Sequence, residues 1–375
     1  MNDEEEDEMK TTAAVVRETG GAFALEELEL DEPRADEVQV RMVASGVCHT
    51  DAIVRDQWYP TPLPAVLGHE GSGIVERVGA GVTSVKPGDR VVLGFNSCGS
   101  CAQCMSGHPA YCANFYAADF TGRRLGDGTA AFTDANGDPV SSHFFGQSSF
   151  SALSNVAERC VVTVPDDVPL ELLGPLGCGL QTGAGAVLNV LKPGPGSSFV
   201  LFGTGAVGLS GLMAAAASGA TTIIAVDVVD SRLELARTLG ATHTVNSRTD
   251  DPVAAVKEIT GGGANFALDT TGVPAVYRQM VDSLGLLGHG ALVGAAKLGT
   301  EAKVDIGTSL LSGASISFVI EGDSVQRLFI PKLLALYQAG KFPFDKLIKT
   351  YRPDQINEAF HDSETGVTLK PVLVY

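Results

Sequence analysis

Four cysteines, Cys98, Cys101, Cys104 and Cys112, stand as C-x2-C-x2-C-x7-C in a stretch that also holds glycine, serine and asparagine. Thiolates so close along a chain can complete a tetrahedral shell around zinc with no position left for substrate, which makes a structural site. An iron–sulfur run of the C-x2-C-x2-C-x3-C type would bring the fourth ligand closer, and disulfides fit a reducing compartment poorly. Cys48 opens Cys-His-Thr-Asp, His69 opens His-Glu between Gly68 and Gly73, and Cys178 lies between two glycines. Taken singly, His69 fits a hydrogen-bonded core histidine as well as a ligand, and Cys178 fits a small buried residue. Cys160 reads as core.

A second chemistry is written in Gly203-Thr204-Gly205-Ala206-Val207-Gly208, which follows the apolar run Ser198 to Phe202 and opens a helix of small residues. In that setting Gly203 permits a tight turn, Gly205 lets backbone amides approach a pyrophosphate, and Gly208 lets helix and strand pack closely. Asp227 follows Gly208 by 19 residues, where a carboxylate accepts the ribose hydroxyls and repels a 2′-phosphate. Val228 and Val229 come next, with no basic residue, so NAD is favoured over NADP. Capping of the helix that begins near Asp230 is the plainer role for Asp227. Arg232 reaches either the ribose edge or a surface ion pair.

These groups need elements to hold them. From Ala13 to about Val164 short alternating apolar runs, such as Val38 to Val43 and Gly73 to Val78, predict a β-rich domain. From about Gln181 to Val319 strands alternate with helices, which predicts a doubly wound parallel sheet of the Rossmann α/β type. A helix over Pro331 to Ala339 and a closing apolar run, Pro371 to Tyr375, are expected to return to the first domain. The resulting division is an acidic disordered tail at 1–10, a catalytic domain at 11–180 with a zinc lobe at about 95–115, a coenzyme domain at 181–322, and a return at 323–375. The segment Thr121 to Asp138 reads as a long Gly/Asp-rich loop.

The 375 residues carry a formal charge of −18, and six acids crowd into Asp3 to Glu8. An acidic surface makes nucleic acid an improbable ligand, since phosphate binding needs a basic patch. No basic, apolar leader is visible, so the cytoplasm is expected. The uncharged run between Lys192 and Asp227 invites a membrane span, but its glycines and Ser/Thr pairs suit a strand, a turn and a buried helix better.

Gly68-His69-Glu70-x-x-Gly73-x5-Gly79-x-x-Val82 is similar to the signature of zinc-containing medium-chain alcohol dehydrogenases, and Cys48, Cys178 and the four-cysteine lobe fall in the matching order. The resemblance covers nearly the whole chain after the acidic tail. It implies a GroES-like catalytic domain, two zinc ions per chain and NAD as coenzyme. It implies a catalytic zinc held by Cys48, His69 and Cys178, with the fourth position for water or substrate. A Cys2His catalytic shell is the arrangement for which alcohol dehydrogenase is itself the known example, so the ligand set is carried over by resemblance. Asp51 would then fix the tautomer of His69, and Glu70 would lie behind the metal. Thr182 and Val207 would support the nicotinamide, Thr50 would pass the alcohol proton, and His49 and Lys370 would contact the pyrophosphate. Where many relatives end the proton relay with a histidine, this chain has Ile53.

Ile53, the segment Arg55 to Pro60, and the segment Phe144 to Phe150 resemble the aryl-alcohol (benzyl alcohol) dehydrogenase branch. Trp58, Phe95 and Phe145 are candidates to line a pocket for a flat apolar alcohol, and each is equally suited to ordinary core. Two rivals stand beside this reading. A glutathione-dependent formaldehyde dehydrogenase would want an arginine shortly after the fourth lobe cysteine, where Tyr116 stands and the first arginines are Arg123 and Arg124. A zinc-free, non-catalytic member of the superfamily would have no need of Cys48, His69 and Cys178. A homodimer or homotetramer is implied by analogy, through an edge strand near Ala291 to Val293 or Ile316 to Val319.

Overall fold

The alternating runs become strands that extend a little beyond the residues predicted, at Glu37–Gly46 and Gly71–Val78, and these two pair antiparallel. The structure, a computed structural model, describes residues 9–375. The acidic run Asp3 to Glu8 lies outside the described residues. Met9 and Lys10, placed in the tail by the sequence reading, instead open the strand Met9–Val16, whose backbone pairs with Ala24–Leu30.

Arg90–Leu93, Val161–Thr163, Lys370–Val374, Ile348–Tyr351 and Leu153–Ala157 complete a seven-stranded sheet around that pair. Its buried face carries Val38, Val40, Met42, Val75, Leu93 and Val161, with Cys160 among them as a small core residue. Each fully buried valine or leucine there stabilises the sheet by about 1.5 to 3 kcal/mol. A five-stranded sheet lies in the same part of the chain, and the Gly/Asp-rich segment supplies one of its strands, Phe132–Thr133.

The third sheet has six strands, all parallel, in the order His243–Asn246, Thr222–Asp227, Ser198–Phe202, Ala264–Asp269, Leu284–Leu292, Ser315–Phe318. In chain order that is 3-2-1-4-5-6, the Rossmann arrangement, which puts the strand reversal beside Ser198–Phe202 and its glycine turn. The apolar run that invited a membrane reading is this central strand, the helix Ala206–Ala217 and most of the strand Thr222–Asp227. Among the described residues no helix is long and apolar enough to cross a membrane.

The chain divides into two compact units. The first holds the residues up to Ser106, then Cys112–Cys178 and Ile348–Tyr375; the second holds Gly107–Tyr111 and Gly179–Leu347. The second unit thus runs past residue 322, where the sequence reading closed it. The reason is the helix Gln326–Gln338, which buries Phe329, Ile330, Leu333 and Leu334 and carries Pro331 in its interior. Proline read as a helix start had set that helix five residues too late. The final strand, Lys370–Val374, pairs with Glu37–Gly46 in the first unit.

Candidate active site

Cys48 sits where the strand Glu37–Gly46 gives way to the short helix His49–Arg55, as its N-cap. His69 follows Gly68, whose φ of +88° is the left-handed region, and a Cβ there would stand 2.5 Å from the backbone nitrogen of Phe150. Only glycine lets the chain turn so tightly before the histidine. Cys178 ends the 3-10 turn Gly174–Gly177.

One ligand atom each from Cys48, His69 and Cys178 lies within 4.8 Å of the others, and all three residues are buried. A tetrahedral zinc with Zn–S bonds of about 2.3 Å sets its ligands about 3.8 Å apart, so a small relaxation closes the shell. Asp51 is fully buried and its Oδ1 lies 2.8 Å from His69 Nδ1 while also accepting the N–H of Gly68 at 3.1 Å. Its other oxygen accepts the N–H of Cys48 at 3.0 Å. One carboxylate thus orients two of the three candidate ligands. His69 Nε2 is left buried with no partner. A buried, partnerless nitrogen beside two thiols fits a metal, because leaving it unbonded would cost about 1 to 3 kcal/mol. The neighbouring Cys178 thiol holds Cys48 well below the ordinary thiol range; burial opposes this, and the Lys370 ammonium reinforces it.

Glu70 lies behind this group, fully buried, and its carboxylate accepts Lys370 Nζ at 2.9 and 3.0 Å. Lys370 also donates to the carbonyl of Val47 at 3.2 Å and is itself buried. The pairing with Glu70 is a role for Lys370 that the sequence reading did not assign, beside the pyrophosphate contact it expected. All three ammonium protons are committed, and burial of Glu70 demands a cation beside it. Thr50 is half-buried with Oγ1 3.8 Å from Cys48 Sγ, His49 is exposed, and Ile53 is buried.

Phe145 stacks on the His69 imidazole at 4.6 Å, and Phe144 meets it edge-on at 5.3 Å. Phe120 joins both rings, and Phe115 joins Phe145. Phe95 is fully buried and meets Phe115 at 6.2 Å, while Trp58 is 40% exposed. Sequence reasoning thus selected one ring that lies on the imidazole and missed Phe120 and Phe115. Gln147 was passed over as well. Its amide accepts from the N–H of Gly71 and donates to the carbonyls of His69 and Gly94, each at 3.0 Å. A fully buried polar side chain is the kind of signal that composition hides.

The four lobe cysteines also bring one sulfur each within 4.8 Å of the others. Backbone N–H groups of Cys98, Ala113 and Asn114 point at the sulfurs of Cys112, Cys101 and Cys112, at 3.3 to 3.5 Å. Such donors favour thiolates. Backbone hydrogen bonds from Ser100 and Cys101 bring the Cys98 thiol down to about 5.

In the second unit Gly203 has φ +89°, and a Cβ on Gly208 would lie 2.0 Å from the Gly203 carbonyl oxygen. The helix Ala206–Ala217 starts with no side chain capping its first N–H groups, which leaves them for an anion. Asp227 ties this turn to its strand: one oxygen accepts Thr204 N and Oγ1 at 2.7 and 2.6 Å, the other the N–H groups of Val228 and Val229. Arg232 Nε is buried without a partner, and Thr182 and Val207 are half-buried.

Residues 34–166 match the family model described as alcohol dehydrogenase GroES-like domain, and residues 206–338 match that of zinc-binding dehydrogenase. The chain belongs to the zinc-containing medium-chain alcohol dehydrogenase family. Geraniol dehydrogenase of Castellaniella defragrans is 47% identical over 376 residues, covering 100% of each chain. The crystal structure of benzyl alcohol dehydrogenase from Acinetobacter calcoaceticus superposes with a TM-score of 0.95 at 55% identity, over 98% of this chain and 99% of that one. An alcohol dehydrogenase zinc-binding domain protein from Burkholderia ambifaria gives a TM-score of 0.96 at 55% identity, with the same coverage.

Proposed function

We propose that this protein is a zinc-dependent oxidoreductase that moves hydride between a primary alcohol, aryl or allylic, and NAD, giving the aldehyde. The meeting of Cys48, His69 and Cys178 beneath a wall of phenylalanine rings carries the reading. Zinc in that triad supplies Lewis acidity that eases loss of the alcohol proton near neutral pH, and NAD supplies the hydride acceptor.

The remaining work falls to the chain. Asp51 fixes His69 as the tautomer whose Nε2 lone pair is free. The Thr50 hydroxyl both accepts and donates, so it receives the alcohol proton, and His49, exposed in the same helical turn, hands it on or contacts the pyrophosphate. Phe145 and Phe144 exclude water and offer a flat apolar face. The lobe cysteines hold a second, structural zinc. Gly203, Gly205 and Gly208 admit the pyrophosphate, Asp227 and Arg232 address the ribose, and Thr182 and Val207 support the nicotinamide.

Two similar proteins, named for geraniol and for benzyl alcohol, support a flat unsaturated substrate, one allylic and one aryl. The glutathione-dependent reading draws little support from the two arginines. Arg124 is buried against Glu37 and Asp31, and Arg123 Nη1 donates to the Gly122 carbonyl and Ser141. The zinc-free reading leaves His69 Nε2 unexplained. We place the enzyme in the cytoplasm, as a homo-oligomer. Phe318 on the edge strand Ser315–Phe318, and Ile306, Leu310 and Leu311 on the helix Ile306–Ser312, expose apolar surface suited to a second copy.

A substrate panel with metal analysis tests the proposal. Benzyl alcohol and geraniol should exceed ethanol in kcat/KM by on the order of a hundredfold, with NAD preferred to NADP. About two zincs per chain are expected. Ethanol as the best substrate, or a chain that binds no zinc, would overturn it.

A further inference from the structure

Next to the phenylalanine wall lies a group of charges that the reaction does not use. Glu37, Arg124 and His143 are all at least nine-tenths buried. Arg124 Nε donates to Glu37 Oε1 at 2.7 Å and Nη2 to Oε2 at 3.1 Å, and both terminal nitrogens also donate to Asp31. His143 Nε2 lies 2.7 Å from the same Glu37 Oε1, and its Nδ1 lies 2.9 Å from Ser142 Oγ. Because Glu37 can only accept, the Nε2 proton of His143 points at it.

Burying such charges is expensive, and an apolar trio of similar volume would often hold a fold as well. Their place in the chain suggests what they hold instead. His143 directly precedes Phe144 and Phe145, and His143, Phe145 and Ser148 all have left-handed φ, at 55°, 51° and 52°. Non-glycine residues keep such a backbone only where the surroundings over-determine it. At the far end of the turn Gln147 grips the His69 carbonyl. The strained turn is therefore clamped at both ends, with the Phe145 ring against the imidazole between them.

We propose that Glu37, Arg124 and His143 form a positioning device for the alcohol site: by anchoring His143 they set the Phe145 face on His69, and so decide that flat alcohols are preferred over small ones. This deepens the function proposed above and rests on it. None of the three touches the reacting atoms; they act through Phe145.

The test uses the zinc-loaded full chain and its cobalt-substituted form, with His143→Ala, His143→Gln and Glu37→Gln. For His143→Ala, kcat/KM for benzyl alcohol should fall on the order of tenfold or more, while that for ethanol changes less than about threefold. The visible cobalt band should shift, because its position follows the ligand geometry around His69. His143→Gln, whose amide N–H can still reach Glu37, should recover most of the discrimination. Should His143→Ala not fold, Glu37→Gln, which keeps the side-chain shape, is expected to reduce the benzyl-to-ethanol ratio in the same direction. Equal losses on both alcohols, or an unchanged ratio and cobalt band in a folded variant, would overturn the positioning role. If the native chain oxidises neither alcohol, the proposed function fails instead, and the cobalt band alone still decides whether His143 orders the site.

Discussion

At the scale of single residues, the proposed function gives Asp51 a part in holding the metal and Thr50 a part in proton transfer, and the two can be separated. Asp51 touches His69 Nδ1 and the Cys48 N–H, so Asp51→Asn should weaken zinc binding at the buried site by about 10 to 100-fold, measured by competition with a chelator. Thr50→Ala should leave both zincs in place and lower kcat by on the order of a hundredfold, with Thr50→Ser restoring most of it. Unchanged turnover in Thr50→Ala would remove the relay. Glu37 makes a prediction in pH. Burial pushes its carboxyl up, but hydrogen bonds from His143 and Arg124 outweigh this and bring it down to about 2, against an ordinary 4.5. A depressed carboxyl stabilises the fold above its unfolded value and gives that stability up as pH falls toward the folded one. Between pH 5 and pH 2 the native chain should therefore lose on the order of 3 kcal/mol more than Glu37→Gln does, read from urea unfolding.

At the scale of elements, the glycine turn and the cysteine lobe behave as separate parts. Gly208→Ala places a methyl 2.0 Å from the Gly203 carbonyl oxygen, so the turn must open. Coenzyme affinity by calorimetry should drop at least tenfold while both zincs remain, an estimate set by the close backbone approach such turns need. Cys101→Ser removes one of four lobe ligands and should release about one zinc per chain, leaving the other at Cys48, His69 and Cys178. Loss of both metals together would mean the two sites are not independent. The strand–helix alternation from Ser198 onward was legible because each element carries its own hydrophobic period. The helix Gln326–Gln338 was not, because Pro331 in its interior imitates a helix start.

At the scale of the whole molecule, exposed Leu310, Leu311, Ile306 and Phe318 predict self-association. Sedimentation should give a multiple of the 38.9 kDa chain mass, and Leu311→Lys with Phe318→Asp should shift the protein toward monomer without loss of zinc.

The residue types and intervals of the chain by themselves determined the four-cysteine lobe, the glycine turn with its acidic partner, and the division into a β-rich part and a parallel sheet, whereas the grouping of Cys48, His69 and Cys178 came from the family resemblance. The first three are local patterns, set by chemistry within a few residues or by periodicity within one element. Only the tertiary structure decided that Lys370 serves Glu70, that Phe145 lies flat on His69, and that Glu37, Arg124 and His143 share one buried charge group. Those pairings join residues as much as 300 positions apart, and the cost of burying a charge or an unpaired donor, which selects them, exists only once the chain has closed around it.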